Sequence, residues 1–198
     1  MPPFCGQGKK HVKAIGSVGV ISKFFKRDKV LDAATESYHA IILQARQPDF
    51  YTRYGVPDSL DGRFDVLVLH VSLVLIRLQR DRTESERFSQ ALFDTLFVDL
   101  DQSLREIGVS DMSVGKKVKQ MGKAFYGRLN AYRFGLEAAK SDDGEQLAGA
   151  LHRNLYRGAA DAKHESVPMA GYVLRQAAYL ETLSTDEIIS GNLRFEAA

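Results

Sequence analysis

Apolar residues recur at intervals of three and four along most of the chain, which places them on one face of an α-helix. Between residues 30 and 45 this pattern predicts a helix, and Pro48 closes it. The predicted buried face consists of Leu31, Ala34, Tyr38, Ile41, Ile42 and Ala45. Residues before Asp28 lack the periodicity, so the fold is expected to start near that residue.

The run from Phe64 to Leu78 is apolar on nearly every side. A helix with this composition lies at the centre of a domain. The valines in the run would also suit a strand, but its length and the lack of a second plausible strand favour a helix. A short aromatic segment, residues 50–54, and a loop rich in turn-forming residues, 55–62, precede it.

An acidic segment shows the clearest boundary signals of the chain. Thr83 and Glu86 have the spacing of a capping box, and Gly108 is suited to end a helix. Between them the apolar stripe consists of Phe88, Leu92, Leu96, Leu100, Leu104 and Ile107. The pattern predicts a strongly amphipathic helix.

Residues 113–139 repeat the pattern over more than six turns. The inner stripe consists of Val114, Val118, Met121, Phe125, Leu129, Tyr132 and Leu136. At 100° per residue, Lys116, Lys119 and Lys123 fall almost opposite that stripe and are expected to face solvent. Glycines at positions 115, 122 and 127 each cost a helix ~1 kcal/mol relative to alanine. They could allow close approach of another helix, which at Gly127 could belong to an incoming partner, or they could introduce a kink.

Two further helices complete the pattern. One covers residues 143–156 and ends near Gly158, and Pro168 opens a last long helix that reaches Leu183. Six or seven helices with short connections predict an all-α, single-domain bundle. We assign residues 1–27 to a basic leader, 28–190 to the helical domain and 191–198 to a tail.

Charge is segregated along the 198 residues, although the net charge is only +2. Residues 1–29 contain seven basic side chains and one acidic one, and residues 113–140 have the same balance. Residues 81–111 contain eight acidic and three basic side chains. The lysines at 116, 119 and 123 could follow phosphates on an anionic surface, but a solvated helix face explains them as well.

The leader and the cysteine content indicate the compartment. A single cysteine, Cys5, is typical of a reducing environment, and the leader is too poor in arginine for a mitochondrial presequence. We therefore expect a cytoplasmic protein. Phe24 and Phe25 lie among basic residues and could rest on the inner membrane, or dock onto the domain instead. The longest apolar run, residues 66–76, is too short to span a bilayer.

No catalytic motif is recognisable, and the five histidines lack the spacing of paired metal ligands. We therefore expect no enzyme activity, no cofactor and no metal. His70 lies within the apolar run, where a hydrogen-bonded core histidine is commoner than a catalytic one. A helical enzyme using His70 with Asp58 or Arg63 remains an alternative.

One stretch and several shorter segments resemble a known family. Residues 50–71, FYTRYGVPDSLDGRFDVLVLHV, are similar to the core of the ubiquinol-cytochrome c chaperone family in its alphaproteobacterial form. The segments GKKVK (115–119), FYGR (125–128) and ALHRNLY (150–156) follow in the order usual for that family. The resemblance covers roughly residues 30–182.

The resemblance implies an all-helical chaperone that attends newly made cytochrome b during assembly of the cytochrome bc1 complex. Mitochondrial members also associate with the ribosome and act with a small helical partner that bacteria lack, which implies a monomer or homodimer here. On this basis we assign client binding to Phe50, Tyr51, Tyr54, Arg63 and His70. Contact with the ribosome or another anionic surface is assigned to Lys116, Lys119 and Lys123.

A second hypothesis belongs to another functional class. A ribosome- or nucleic-acid-binding module would use the basic stripe on the helix 113–139, and its binding would weaken steeply with salt. Client binding by a chaperone would be largely apolar and salt-tolerant.

Overall fold

The structure is a computed structural model that describes residues 28–198, except for the side chains of Asp142 and Asp161. The sequence-based predictions for Cys5, Phe24 and Phe25 lie outside the described residues. Within residues 28–198 the chain forms helices and no strands. The helices are α1 Lys29–Ala45, α2 Asp49–Thr52, α3 Leu60–Leu78, α4 Arg82–Glu106, α5 Asp111–Asp142, α6 Glu145–Leu155, α7 Ser166–Thr182 and α8 Thr185–Ile189. The all-α, single-domain prediction is confirmed.

The central helix is α3, which packs against α1, α4, α5, α6 and α7. Its first residue follows Ser59, whose hydroxyl accepts a hydrogen bond from the Gly62 N–H at 3.1 Å. Val66, Leu69 and Val74 are completely buried, as are most other residues of its second half. The choice of helix over strand for this run is confirmed, because apolar side chains on all sides meet neighbouring helices.

The acidic helix α4 ends as predicted but starts differently. Gly108 adopts a φ of 86° and its N–H donates to the Arg105 carbonyl, which closes the helix. The predicted capping box is wrong, because the helix starts at Arg82 after a 3₁₀ turn, Gln79–Asp81, and Thr83 lies inside its first turn. The Ser85 hydroxyl donates to the Leu78 carbonyl at 2.9 Å and ties this corner to α3.

Helices α5 and α6 form the closest helix pair, but at a glycine that the sequence pattern did not single out. A Cβ on Gly135 would lie 2.8 Å from the Leu147 Cα, so the two backbones are in direct contact there. Gly115 and Gly127 face open space, and Gly122 has only ordinary contact distance to the Phe97 ring. Within residues 28–198, glycines 115, 122 and 127 therefore do not bring another helix of the domain unusually close. Close approach of a partner at Gly127 and a local kink stay predictions.

The last two helices bring the chain back to α1. Helix α7 starts two residues before Pro168, and α8 starts with a capping box between Ser184 and Glu187. Arg77 of α3 is buried and donates hydrogen bonds to the Leu180 carbonyl at 3.1 Å and the Leu183 carbonyl at 2.7 Å. These bonds fix the end of α7 to the central helix.

Candidate functional site

A groove on the surface follows the C-terminal half of α4. It consists of two adjoining cavities, of about 410 Å³ and about 200 Å³, which share Leu60, Phe64, Leu100 and Ser103 as lining residues. The larger cavity continues along α5 and the smaller one towards α1 and α2. We call the two together the α4 groove.

Apolar side chains form the floor and part of the rim of the α4 groove. Phe64, Leu100 and Met121 line the floor. Leu60 and Ile107 line the rim of the groove, and their side chains remain 62% and 56% exposed, respectively. Apolar side chains that stay open to water beside a concave surface are typical of sites that bind another polypeptide.

The rim residue Leu60 is positioned by a tight turn. Gly62 lies so close to this turn that a Cβ there would come within 2.0 Å of the Pro57 carbonyl oxygen. Only glycine fits, and the turn sets where α3 begins. Leu60 and Asp61 are thereby held at the mouth of the groove.

An ion-pair network around one buried carboxylate lies at the α5 side of the groove. Asp65 is completely buried, with its Oδ1 2.7 Å from Arg128 Nη2 and its Oδ2 3.5 Å from Arg157 Nη2. The same Arg157 nitrogen lies 3.0 Å from Asp61 Oδ2. Burial raises the pKa of Asp65 to about 6, although both arginines lower it; Asp61 raises it further. The groove therefore carries charge beside its apolar floor.

Tyr51 and Arg63 line the smaller cavity. Arg63 Nε donates to Asp58 Oδ1 at 2.7 Å, and its guanidinium carbon lies 5.7 Å from the centre of the Tyr51 ring. The Tyr51 hydroxyl donates to the Ala45 carbonyl at 2.9 Å. The structure thus brings these two predicted residues together at the groove wall.

Phe50, Tyr54 and His70 lie elsewhere, in the core. Their rings pack together with Tyr172, with Phe50 and His70 at a centroid distance of 5.2 Å. In this conformation they present no surface to a partner, because all three side chains are almost completely buried. The client-binding role of the five residues stays a prediction, with Tyr51 and Arg63 as the accessible members.

The surroundings of His70 bear on the enzyme alternative. Its Nδ1 lies 2.8 Å from the Val66 carbonyl oxygen, so this nitrogen carries the proton and Nε2 accepts from the Tyr172 hydroxyl at 2.7 Å. Burial lowers the pKa of His70 to about 4, so the ring is neutral at pH 7. Asp58 pairs with Arg63 at the surface instead. The proposed combination of His70 with Asp58 or Arg63 is not assembled.

The three predicted lysines lie on a different face. Lys116, Lys119 and Lys123 are exposed on α5 and form no ion pair within residues 28–198. At 100° per residue they lie roughly 100° or more around the helix from Lys117 and Arg128, which face the groove. The basic face and the α4 groove are therefore separate surfaces.

Two classes of site are not found in the described part of the chain. It contains no group of three or more His, Cys, Asp or Glu side chains placed to hold a metal ion. None of its helices combines the length and the apolar composition needed to cross a membrane.

The fold and the groove define an all-α protein with a largely apolar groove on its surface. The chain belongs to the ubiquinol-cytochrome C chaperone family, whose model matches residues 52–195. The family resemblance seen in the sequence is thereby confirmed.

The chain is also similar to several individual proteins that are named as assembly factors or homologs of them. The ubiquinol-cytochrome c reductase complex assembly factor 1 of Mus musculus is 24% identical over 96% of this chain, and its Xenopus laevis counterpart is 23% identical over 83%. The chain spans 63% of the mouse protein and 80% of the frog protein. The crystal structure of the Cbp3 homolog from Brucella abortus matches with a TM-score of 0.76 and 31% identity, covering 89% of this chain and 96% of that one.

Proposed function

We propose that this protein is a chaperone for assembly of the cytochrome bc1 complex that binds newly made cytochrome b in the α4 groove. A role in assembly of the bc1 complex is supported by the relatives that are named ubiquinol-cytochrome c reductase complex assembly factors. The observation that carries the choice of surface is the exposure of Leu60 and Ile107 beside an apolar floor.

The chemistry of the groove suits a segment of a membrane protein before it is fully assembled. Such a segment is helical and apolar, and a helix of this kind binds by placing apolar side chains into a groove. Met121 on the floor has a flexible side chain that can adapt to different apolar shapes. Arg128 and Arg157 line the same cavity but are paired with Asp65 and Asp61. Lys117, which has no ion-pair partner within residues 28–198, would favour an acidic or polar group that flanks the apolar segment.

The proposal is tested by crosslinking in cells that make the bc1 complex. A photoreactive amino acid at Leu60 or Ile107 is expected to crosslink to cytochrome b. The crosslink is also expected when extracts of these cells are irradiated at high salt, because the contact is largely apolar. Val98 is the matched control, because it is an apolar α4 residue with 67% exposure that does not line the groove. Crosslinking from Val98 with none from Leu60 or Ile107 would place the client elsewhere.

A second candidate function rests on the basic face formed by Lys116, Lys119 and Lys123. These lysines are exposed and have no ion-pair partner in the described residues, so their charge is available to ribosomal RNA or anionic lipid. Changing all three to glutamate is expected to abolish a salt-sensitive ribosome association and leave cytochrome b crosslinking from Leu60 intact. Unchanged ribosome association in the triple variant would exclude this face.

A further inference from the structure

The turn between α4 and α5 carries apolar side chains that face solvent. Ile107 and Met112 flank this turn with 56% and 97% of their side chains exposed, the latter the largest fraction of any exposed large apolar residue in the described chain. Ile107 also lines the same cavity as the exposed Leu60. These side chains therefore form a patch and not isolated surface positions. We call residues 107–112 the α4–α5 corner.

Backbone hydrogen bonds fix the shape of the corner. The Gly108 N–H donates to the Arg105 carbonyl at 3.0 Å, and the Val109 N–H donates to the Leu104 carbonyl at 3.0 Å. These two bonds, with Gly108 at a φ of 86°, form a Schellman motif at the end of α4. The exposed apolar side chains are thus presented on a defined turn.

Basic side chains of α5 lie directly behind the corner. Lys116, Lys117 and Lys119 are exposed and form no ion pair within residues 28–198. At 1.5 Å per residue they lie about 6 to 11 Å from Met112 along the helix axis. Helical side chains lean towards the N-terminus of their helix, which for α5 is the corner. The lysines therefore extend towards the corner.

The acidic side chains near the corner are largely occupied within the domain. Asp101 and Asp111 both pair with Arg105, and Glu106 accepts a hydrogen bond from Gln102 at 2.9 Å. Residues 101–119 contain four basic and three acidic side chains in total. The charge that is left without a partner in this region is therefore mainly positive and lies on α5.

We propose that the α4–α5 corner docks on an anionic lipid bilayer. Ile107 and Met112 enter the boundary between headgroups and acyl chains, and the lysines behind them contact lipid phosphates. Lysines suit this position because their long side chains reach the headgroups from some distance. Ribosomal RNA would use the same lysines but would leave the apolar side chains of the corner in water.

Docking in this way sets the direction of the α4 groove. The corner lies where the two surfaces of α5 meet, because Ile107 and Lys117 line the groove whereas Lys116 and Lys119 belong to the basic face. A docked chain opens the groove beside the bilayer, where a membrane segment of cytochrome b enters the lipid. The inference rests on the proposed function for the identity of this client alone, since lipid binding needs only the corner and its lysines.

The test uses the full chain, which contains no tryptophan, so that one introduced tryptophan reports its own surroundings. The emission of Met112→Trp is expected to shift to shorter wavelength with vesicles of equal parts phosphatidylglycerol and phosphatidylcholine, but not with phosphatidylcholine alone. Val98→Trp is the matched control, because position 98 is apolar, 67% exposed and distant from the corner along α4. Its emission is expected to stay unchanged.

The lysines are tested in the same Met112→Trp background. Adding Lys116→Gln with Lys119→Gln is expected to weaken binding to the anionic vesicles about tenfold or more. Equal vesicle affinity with and without these changes would contradict their contact with lipid phosphates.

Two results would overturn the inference. Co-sedimentation with the anionic vesicles while the emission of Met112→Trp stays unchanged would place the lipid contact elsewhere in the chain. Absence of vesicle binding would also exclude it, and co-sedimentation with ribosomes would then assign the lysines to RNA. Should Met112→Trp lose its helical content, Met112→Ser decides, because vesicle binding equal to that of the unchanged chain would contradict insertion.

The inference and the proposed function can fail separately. The vesicle experiment contains no cytochrome b, so its outcome does not depend on client binding. A missing crosslink from Leu60 would contradict client binding in the groove, and insertion at position 112 would still hold.

Discussion

Among single residues, Asp65 makes the stability of the protein depend on pH, because its carboxylate is completely buried beside the α4 groove. Its pKa is about 6 in the folded chain against an ordinary value of 3.8. The folded state therefore binds a proton more tightly than the unfolded state does. Between these two pH values Asp65 makes the free energy of unfolding fall as the pH rises.

The Asp65→Asn variant is expected to lack this component. As the pH rises from about 4 to above 6, the free energy of unfolding of the unchanged chain falls through ionisation of buried Asp65. The variant has no carboxylate at this position, so its free energy of unfolding should rise relative to that of the unchanged chain. Urea unfolding at several pH values measures the difference. Asp186→Asn, at an exposed position outside this network, is the control. An identical pH dependence of Asp65→Asn and the unchanged chain would contradict the assignment.

Tyr172 is the second residue from which a direct prediction follows. Its hydroxyl donates to His70 Nε2 and accepts from Gln44, both within the core. Tyr172→Phe leaves the His70 nitrogen without its donor and is expected to lower the free energy of unfolding by about 1–3 kcal/mol. Chemical denaturation measures this loss. Tyr179→Phe, at a less buried position of the same helix, is expected to change stability little.

For whole elements, the contact between α5 and α6 gives the sharpest contrast. A methyl group at position 135 meets the backbone of α6, whereas one at position 127 meets nothing. Gly135→Ala is expected to destabilise the domain by about 1–3 kcal/mol. Gly127→Ala is expected to stabilise it by up to about 1 kcal/mol, because alanine is the better helix former. Thermal unfolding of both variants measures the pair, and equal effects would contradict the packing.

Element by element, the sequence was most informative where one stripe of apolar residues meets one neighbour. The ranges of α1 and α4 follow from such stripes to within a few residues, whereas the range of α3 follows from a run that is apolar on nearly every side. The start of α4 was misjudged, since the 3₁₀ turn Gln79–Asp81 continues directly into the helix and leaves Thr83 inside it. A local motif cannot show which turn precedes it.

The α4 groove could not be predicted from the pattern of apolar residues along each helix. It forms where α3 and α4 meet α5 on one side and α1 and α2 on the other, and the spacing of residues along one helix contains no information on its distance to the next. Asp65 lies at the start of the apolar run of α3, but its partner Arg128 is 63 residues away along the chain, so the pair has no local sequence pattern. Tyr51 and Arg63 were found at its wall, whereas Phe50, Tyr54 and His70 could not be separated from core aromatics by residue type.

For the molecule as a whole, occupancy of the groove should be visible as stability. A ligand that binds only the folded chain raises its unfolding temperature with concentration. A synthetic helical peptide from a cytochrome b membrane segment is expected to do so, and Ile107→Glu is expected to reduce the shift because it places a charge on the apolar rim. Val98→Glu is the control; an equal loss in both variants would argue against the groove.

The turn at Gly62 has a consequence for genetic screens. A deep mutational scan that selects for respiratory growth would score nearly every substitution at this position as damaging, since any side chain would strike the Pro57 carbonyl. Gly62 would then rank beside the proposed contact position Leu60, although its role is to shape the turn. Separating abundance from activity at each position would distinguish a residue that shapes the mouth of the groove from one that meets the client.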